Sequence, residues 1–127
     1  MSRIFKTRHF TRWMRKTDLS DELLYAAVCE MERGLIDADL GGGVVKKRIA
    51  LAGRGKRGSS RILIATNKND RWFFVFGFEK NERGNINSTE LKALQELAND
   101  LLNFSAIELK SEIKNNTLQE ICYDNEA

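Results

Sequence analysis

The stretch that decides the fold runs from Val44 to Asn85 and reads VVKKRIALAGRGKRGSSRILIATNKNDRWFFVFGFEKNERGN. It predicts three consecutive strands, Val44–Leu51, Arg61–Asn67 and Arg71–Glu79, because each is apolar in pattern and bounded by glycine or a polar turn. The third strand is apolar on both faces, which predicts a central position in a sheet. The short connections between the strands favour antiparallel pairing.

A dense set of cations lies along this stretch, on strands and in glycine-containing loops. The first strand places Lys46 and Arg48 on one face, about 6.5–7 Å apart, which matches the spacing of successive phosphates along a nucleic-acid strand. Lys47 falls at the edge of the opposite, apolar face. The loop GRGKRG at 53–58 is too basic and glycine-rich for a simple hairpin turn and lacks P-loop spacing. These cations predict a surface that binds RNA, and a merely solvated surface is the alternative.

Helical periodicity outside that stretch predicts three helices. An apolar stripe at i, i+3 and i+4 indicates a short helix over Phe10–Lys16, with basic residues on its other sides. A second helix begins near Ser20 and ends at Gly34. A start resembling a capping box at Asn87 opens a third helix that runs to Phe104.

Four weaker segments complete the chain. Ser2–Thr7 is a candidate strand, Ile36–Gly43 a connection, Ser105–Lys114 a candidate short helix, and Leu118–Ile121 a short strand or strap. The predicted order is β-α-α-β-β-β-α, and the predicted class is α+β. We expect a single domain over residues 1–127, with a small antiparallel sheet, two N-terminal helices and one C-terminal helix packed on one side. Residues 105–127 form a C-terminal extension.

Charge is unevenly distributed over the 127 residues. The first 61 residues hold fourteen Lys and Arg against seven Asp and Glu, and the remaining residues hold seven against eleven. A basic half suggests a phosphate-rich or acidic partner. The length suggests one domain with a core that needs neither disulfides nor a metal.

Several classes of chemistry lack the residues they need. His9 is the single histidine, and Cys29 and Cys122 are far apart, so no metal-ligand or nucleophile cluster can be read from the sequence. We interpret His9 as a surface residue outside the cationic cluster, with a role as acid or base as the alternative. No signal peptide or membrane span is recognisable, and isolated cysteines fit a reducing compartment, so we expect a cytoplasmic protein without a cofactor.

Cation-rich phosphate chemistry remains. RNA is cut without a metal when its 2′-OH is deprotonated and attacks the adjacent phosphate, while the site stabilises the phosphorane charge and protonates the leaving 5′-oxygen. Arginine and lysine supply the charge stabilisation, and a lysine can transfer protons when neighbouring cations lower its pKa.

Four motifs carry a resemblance to a known family. They are GLIDADLGGG (34–43), VKKRIA (45–50), GRGKRG (53–58) and FGFEKNERGNI (76–86). The chain resembles the RelE-like branch of the RelE/ParE toxin superfamily, related to HigB-type toxins of bacterial type II toxin–antitoxin systems. The resemblance implies an mRNA endonuclease that acts on the 70S ribosome. It also implies a cognate antitoxin, often a helix-turn-helix DNA-binding protein, as partner.

The resemblance also implies site residues. The matching catalytic positions are Lys46, Arg48, Arg61 and Lys80. Lys46 and Arg48 would position the strand and deprotonate or orient the attacking group, Arg61 would stabilise the transition state, and Lys80 would donate a proton. The further positions that we expect to bind nucleic acid are Lys47, Arg54, Lys56, Arg57 and Arg83.

This chain departs from the family pattern at three positions. Asn81 stands where RelE has a second arginine, Asn87 stands where RelE has a tyrosine, and the histidine that HigB-type toxins often carry near the end of the last strand is missing. The alternative function is therefore a non-catalytic or gyrase-directed binding protein that an antitoxin neutralises.

Overall fold

The computed structural model describes residues 2–50 and 59–122. Its strands are β1 (Arg3–Thr7), β2 (Ala38–Gly41), β3 (Val44–Ile49), β4 (Ser60–Thr66), β5 (Arg71–Glu79) and β6 (Leu118–Ile121). Its helices are α1 (Arg8–Met14), α2 (Asp21–Glu32), α3 (Ser88–Leu102) and α4 (Ala106–Lys114). The α+β class is confirmed. No helix in the described residues is long and apolar enough to cross a membrane.

The six described strands form one mixed sheet in the order β2-β3-β4-β5-β1-β6. The antiparallel pairing of β3, β4 and β5 agrees with the prediction. A wholly antiparallel sheet is wrong, because β1 pairs in parallel with β5 and antiparallel with β6. β2, where the sequence predicted only a connection, pairs with β3 through its backbone. Its polar residues gave no strand signal because an edge strand needs little apolar surface.

Helices cover both faces of the sheet, so the prediction of helices on one side is wrong. α1 and α2 pack on a face that includes Val45, Ile62 and Trp72. α3 and α4 pack on the opposite face, which includes Leu63 and Phe73. The physical reason lies in β5, since a strand that is apolar on both faces needs a covering layer on each.

The C-terminal region holds α3, α4 and β6, so the candidate helix Ser105–Lys114 and the candidate strand Leu118–Ile121 are confirmed. Asn87 and Glu90 form the predicted capping box of α3. Ser105 and Glu108 form a second capping box, which starts α4. β6 then pairs with β1 and becomes an edge of the sheet.

Two close approaches explain why glycine occurs where it does. Gly42 turns between β2 and β3 at a φ of 62°, and a Cβ there would lie 2.7 Å from Cγ of Gln95 on α3. A Cβ at Gly77 in β5 would lie 2.3 Å from Cζ3 of Trp13 on α1. These glycines let one helix on each face sit directly against the sheet.

Candidate nucleic-acid interface

The pairing of β3 with β4 brings three of the predicted site residues together. Arg48 lies directly opposite Arg61, and Lys46 lies opposite Leu63. All three cations lie on the α3 side of the sheet, because they alternate with residues of the α1–α2 face. Cations that face each other across two strands repel one another. In the described residues neither Arg48 nor Lys46 has a side-chain ion pair, so this arrangement suits an anionic ligand.

A small hydrogen-bonded network orients Arg61 at the start of β4. Its guanidinium donates to the hydroxyl of the buried Ser59 over 2.7 Å. The neighbouring Ser60 is fully buried and donates its hydroxyl to Glu79 at the end of β5 over 3.0 Å. The bond to Ser59 uses one guanidinium nitrogen, so further donors remain for a ligand.

Lys80 and Arg83 follow β5 but differ in their surroundings. Lys80 is exposed in the turn after the strand. Arg83 forms a bidentate ion pair with Glu90, donates to the Asn85 carbonyl over 3.1 Å and lies over the Phe78 ring, 5.6 Å from its centroid. The hydrogen bond between the pair raises the pKa of Arg83 and lowers the pKa of Glu90. Arg83 therefore ties the loop after β5 to the start of α3.

Lys47 has a structural partner on the other face of the sheet. It is buried, and its ammonium donates to the Leu35 carbonyl over 3.0 Å and pairs with Glu30 over 2.8 Å. These contacts join β3 to the end of α2 and leave little of Lys47 for RNA. The predicted cations Arg54, Lys56 and Arg57 lie outside the described residues.

Aromatic residues border the cations on the same sheet face. Phe78 lies opposite Arg61 in the β4–β5 register. Phe76 is stacked under the exposed ring of His9, with the ring centroids 5.6 Å apart and the planes within 5°. Sequence reasoning missed this position of His9, since nothing in the order of residues shows that α1 folds back over β5. His9 and Phe76 also line an apolar cleft of about 540 Å³ beside α3, and the walls of this cleft suit an apolar group better than a phosphate.

A family model described as the RelE toxin of the RelE/RelB toxin–antitoxin system matches residues 2–121. The chain belongs to the RelE toxin family. No curated protein matches it. The match covers nearly the whole chain and confirms the resemblance seen in the motifs. This RelE-family protein is thus the toxin of a toxin–antitoxin pair, and its family implies an antitoxin partner.

The structure also gives a role to one departure from the family pattern. Asn87, which the sequence resemblance matches to the RelE tyrosine, accepts a hydrogen bond from the Glu90 backbone N–H over 2.8 Å. The Glu90 side chain accepts from the Asn87 backbone N–H over 2.9 Å. Asn87 is therefore an N-cap of α3, a position at which asparagine is among the most stabilising residues.

Proposed function

We propose that this toxin is a metal-independent, ribosome-dependent mRNA endonuclease. The observation that supports this most directly is the facing pair of Arg48 and Arg61, with Lys46 on the same side of the sheet. A pair of opposed cations destabilises a sheet unless an anion lies between them or near them. The phosphate that is cut gains negative charge in the transition state, so cations already held in place lower the barrier.

The proposed reaction gives the cations separate roles. Lys46 and Arg48 position the RNA strand, and they either accept the proton of the 2′-OH or orient its oxygen for attack. The 2′-oxygen then forms a bond to phosphorus, and Arg61 stabilises the charge of the phosphorane. The bond from phosphorus to the 5′-oxygen breaks as Lys80 donates a proton to that oxygen. The products are a 2′,3′-cyclic phosphate and a 5′-hydroxyl end.

The binding role of the remaining predicted cations differs from residue to residue. Arg54, Lys56 and Arg57 are still predicted to bind the RNA backbone. Arg83 acts indirectly, because its guanidinium is bound to Glu90. We leave Lys47 out of the proposed surface, since its ammonium is buried against α2.

The test is the Arg61→Ala toxin with ribosomes that are translating a defined mRNA. We expect its cleavage rate to fall about 10²–10³-fold, the usual effect of removing one donor that stabilises transition-state charge. Lys110→Ala, an exposed change on α4, is the matched control and should cut at the wild-type rate. Cyclic phosphate at the cut ends supports the assigned steps.

Two outcomes contradict the proposal. Growth arrest with intact mRNA and altered DNA supercoiling would establish the gyrase-directed alternative. If Lys46→Ala, Arg61→Ala and Lys80→Ala each keep full cleavage, the residue assignment is wrong even though the activity is present.

A further inference from the structure

A second group of cations lies along α1 and its C-cap, outside the β3–β4 surface. Arg8 and Arg12 on α1 and the C-cap residue Arg15, which keeps helical backbone angles, are spaced at i, i+4 and i+7, so they form a row along one side. Together with Lys6 they line a groove of about 330 Å³ between α1 and β6. Gln119 on β6 forms part of its opposite wall.

The charge in this groove is unbalanced. The buried Lys6 pairs with Asp21 over 2.7 Å. Arg8 donates to the carbonyls of Asn115 and Asn116, each over 3.2 Å, which fixes its guanidinium without neutralising it. Across residues 2–50 and 59–122 neither Arg12 nor Arg15 has an ion pair. Three positive charges therefore face the groove without an acidic partner.

The floor of the groove holds a polar atom that lacks a partner. The Thr11 hydroxyl oxygen is buried and has no hydrogen bond within the part of the chain that the structure describes. A buried hydroxyl without a partner destabilises the fold. Thr11 lies on α1 between the arginines and lines the same groove, so a rotation of its side chain would let the hydroxyl donate to an anion held there.

We propose that this groove is a second RNA site, which holds backbone phosphates away from the cleavage surface. The row of three arginines favours a polymer of phosphates over a single anion. Because β1 runs parallel to β5, α1 begins at the same end of the sheet as the C-terminus of β5, which Lys80 follows. Gln119 on β6 lies three strands from β4, roughly 14 Å across the sheet, and on the opposite face from Arg61. The two surfaces therefore face different ways, and a large RNA partner that surrounds the toxin can contact both.

This inference rests on the proposed function in its choice of RNA as ligand. The key variant is Arg12→Glu/Arg15→Glu, and Arg12→Gln/Arg15→Gln removes the charge more mildly. Arg33→Glu/Lys110→Glu changes two exposed cations elsewhere by the same total charge and is the control. Thermal unfolding of each variant checks that the fold is intact.

Two probes identify the source of the phosphates. One is a single-stranded 2′-O-methyl oligoribonucleotide, which has no free 2′-OH and so is not cut, and the other is the purified 70S ribosome. We expect the charge-reversed variant to bind the ribosome at least about 10-fold more weakly than the control does. For the oligonucleotide, two lost contacts lower the salt slope by roughly 1.4. An effect on both probes indicates the mRNA strand, and an effect on the ribosome alone indicates ribosomal RNA.

The outcomes separate this inference from the proposed function. If the wild-type toxin cuts no RNA but the reversed variant still loses RNA or ribosome affinity, the groove stands and the nuclease proposal fails. If both affinities and the salt slope equal those of the control, the inference is overturned. Weakened binding of a copurified antitoxin, with both RNA affinities unchanged, would overturn it as well and make the groove a protein-binding surface.

Discussion

Replacing Gly77 with alanine tests how tightly α1 is held against the sheet. The added Cβ would lie 2.3, 2.6 and 2.7 Å from three ring atoms of Trp13. Carbon atoms in ordinary contact are about 3.5 Å apart, so the ring must retreat by roughly 1.2 Å. Its retreat is opposed by Phe10, which is fully buried and has its ring centroid 5.5 Å from that of Trp13.

The expected loss of stability follows from this geometry. Overpacking of a well-packed site typically costs about 1–3 kcal/mol. Three close contacts with a rigid ring place Gly77→Ala near the upper end, at about 3 kcal/mol. At roughly 3–5 °C for each kcal/mol in a chain of this size, Tm should fall by roughly 9–15 °C.

Thermal and urea unfolding measure this loss, and the chain offers two controls. Gly84→Ala adds the same methyl group where nothing lies within 4 Å, and it should change stability by less than about 0.5 kcal/mol. With Trp13→Ala already present, Gly77→Ala should cost less than about 1 kcal/mol, which gives a coupling energy of about 2 kcal/mol. A wild-type Tm for Gly77→Ala, or equal costs in both backgrounds, would refute the reasoning.

Two further predictions concern charged groups. Lys47→Met leaves the Leu35 carbonyl unpaired and should lower the free energy of unfolding by about 1–2 kcal/mol, while RNA affinity stays within about 2-fold of wild type. Lys46→Met should instead lower RNA affinity and leave the free energy of unfolding unchanged. If both variants lose RNA affinity and keep wild-type stability, the assignment of Lys47 is wrong. The hydrogen bond from Arg83 lowers the pKa of Glu90. The stability that the Arg83–Glu90 ion pair contributes is therefore complete above the ordinary glutamate pKa of 4.5 and is lost as pH falls through the lowered pKa. An NMR titration should place the Glu90 carboxyl midpoint below 4.5, and Arg83→Ala should return it toward that value.

The sequence predicted the parts of the fold that depend on local patterns. The caps at Ser20 and Asn87 and the bounds of β5 agree with the structure, because capping and alternation act within a few residues. The parallel pairing of β1 with β5 was missed, since it joins segments about seventy residues apart. The second helix layer was not predicted although β5 is apolar on both faces, because short strand connections do not show on which face of the sheet each helix packs.

The site was predictable only in its residue types. Alternation placed Lys46 and Arg48 on one face of β3 and Lys47 on the other, as the structure shows. Alternation gave no information about partners, so the contact of Lys47 with Glu30 and the ion pair of Arg83 could not be foreseen. Both depend on where a helix packs, which is a property of the whole chain.

The placement of β1 has a consequence for how the toxin is made. β1 precedes the other described strands in the chain, yet it lies between β5 and β6, and its Arg3 pairs with Glu120, 117 positions later. The antiparallel strands β3, β4 and β5 are close in sequence and can pair early, whereas β1 must wait for residues from the other end of the chain. Pairing of this sheet is therefore completed only after Leu118–Ile121 has been made. A chain that stops before Leu118 leaves β1 as an unpaired edge strand, which is a site for aggregation.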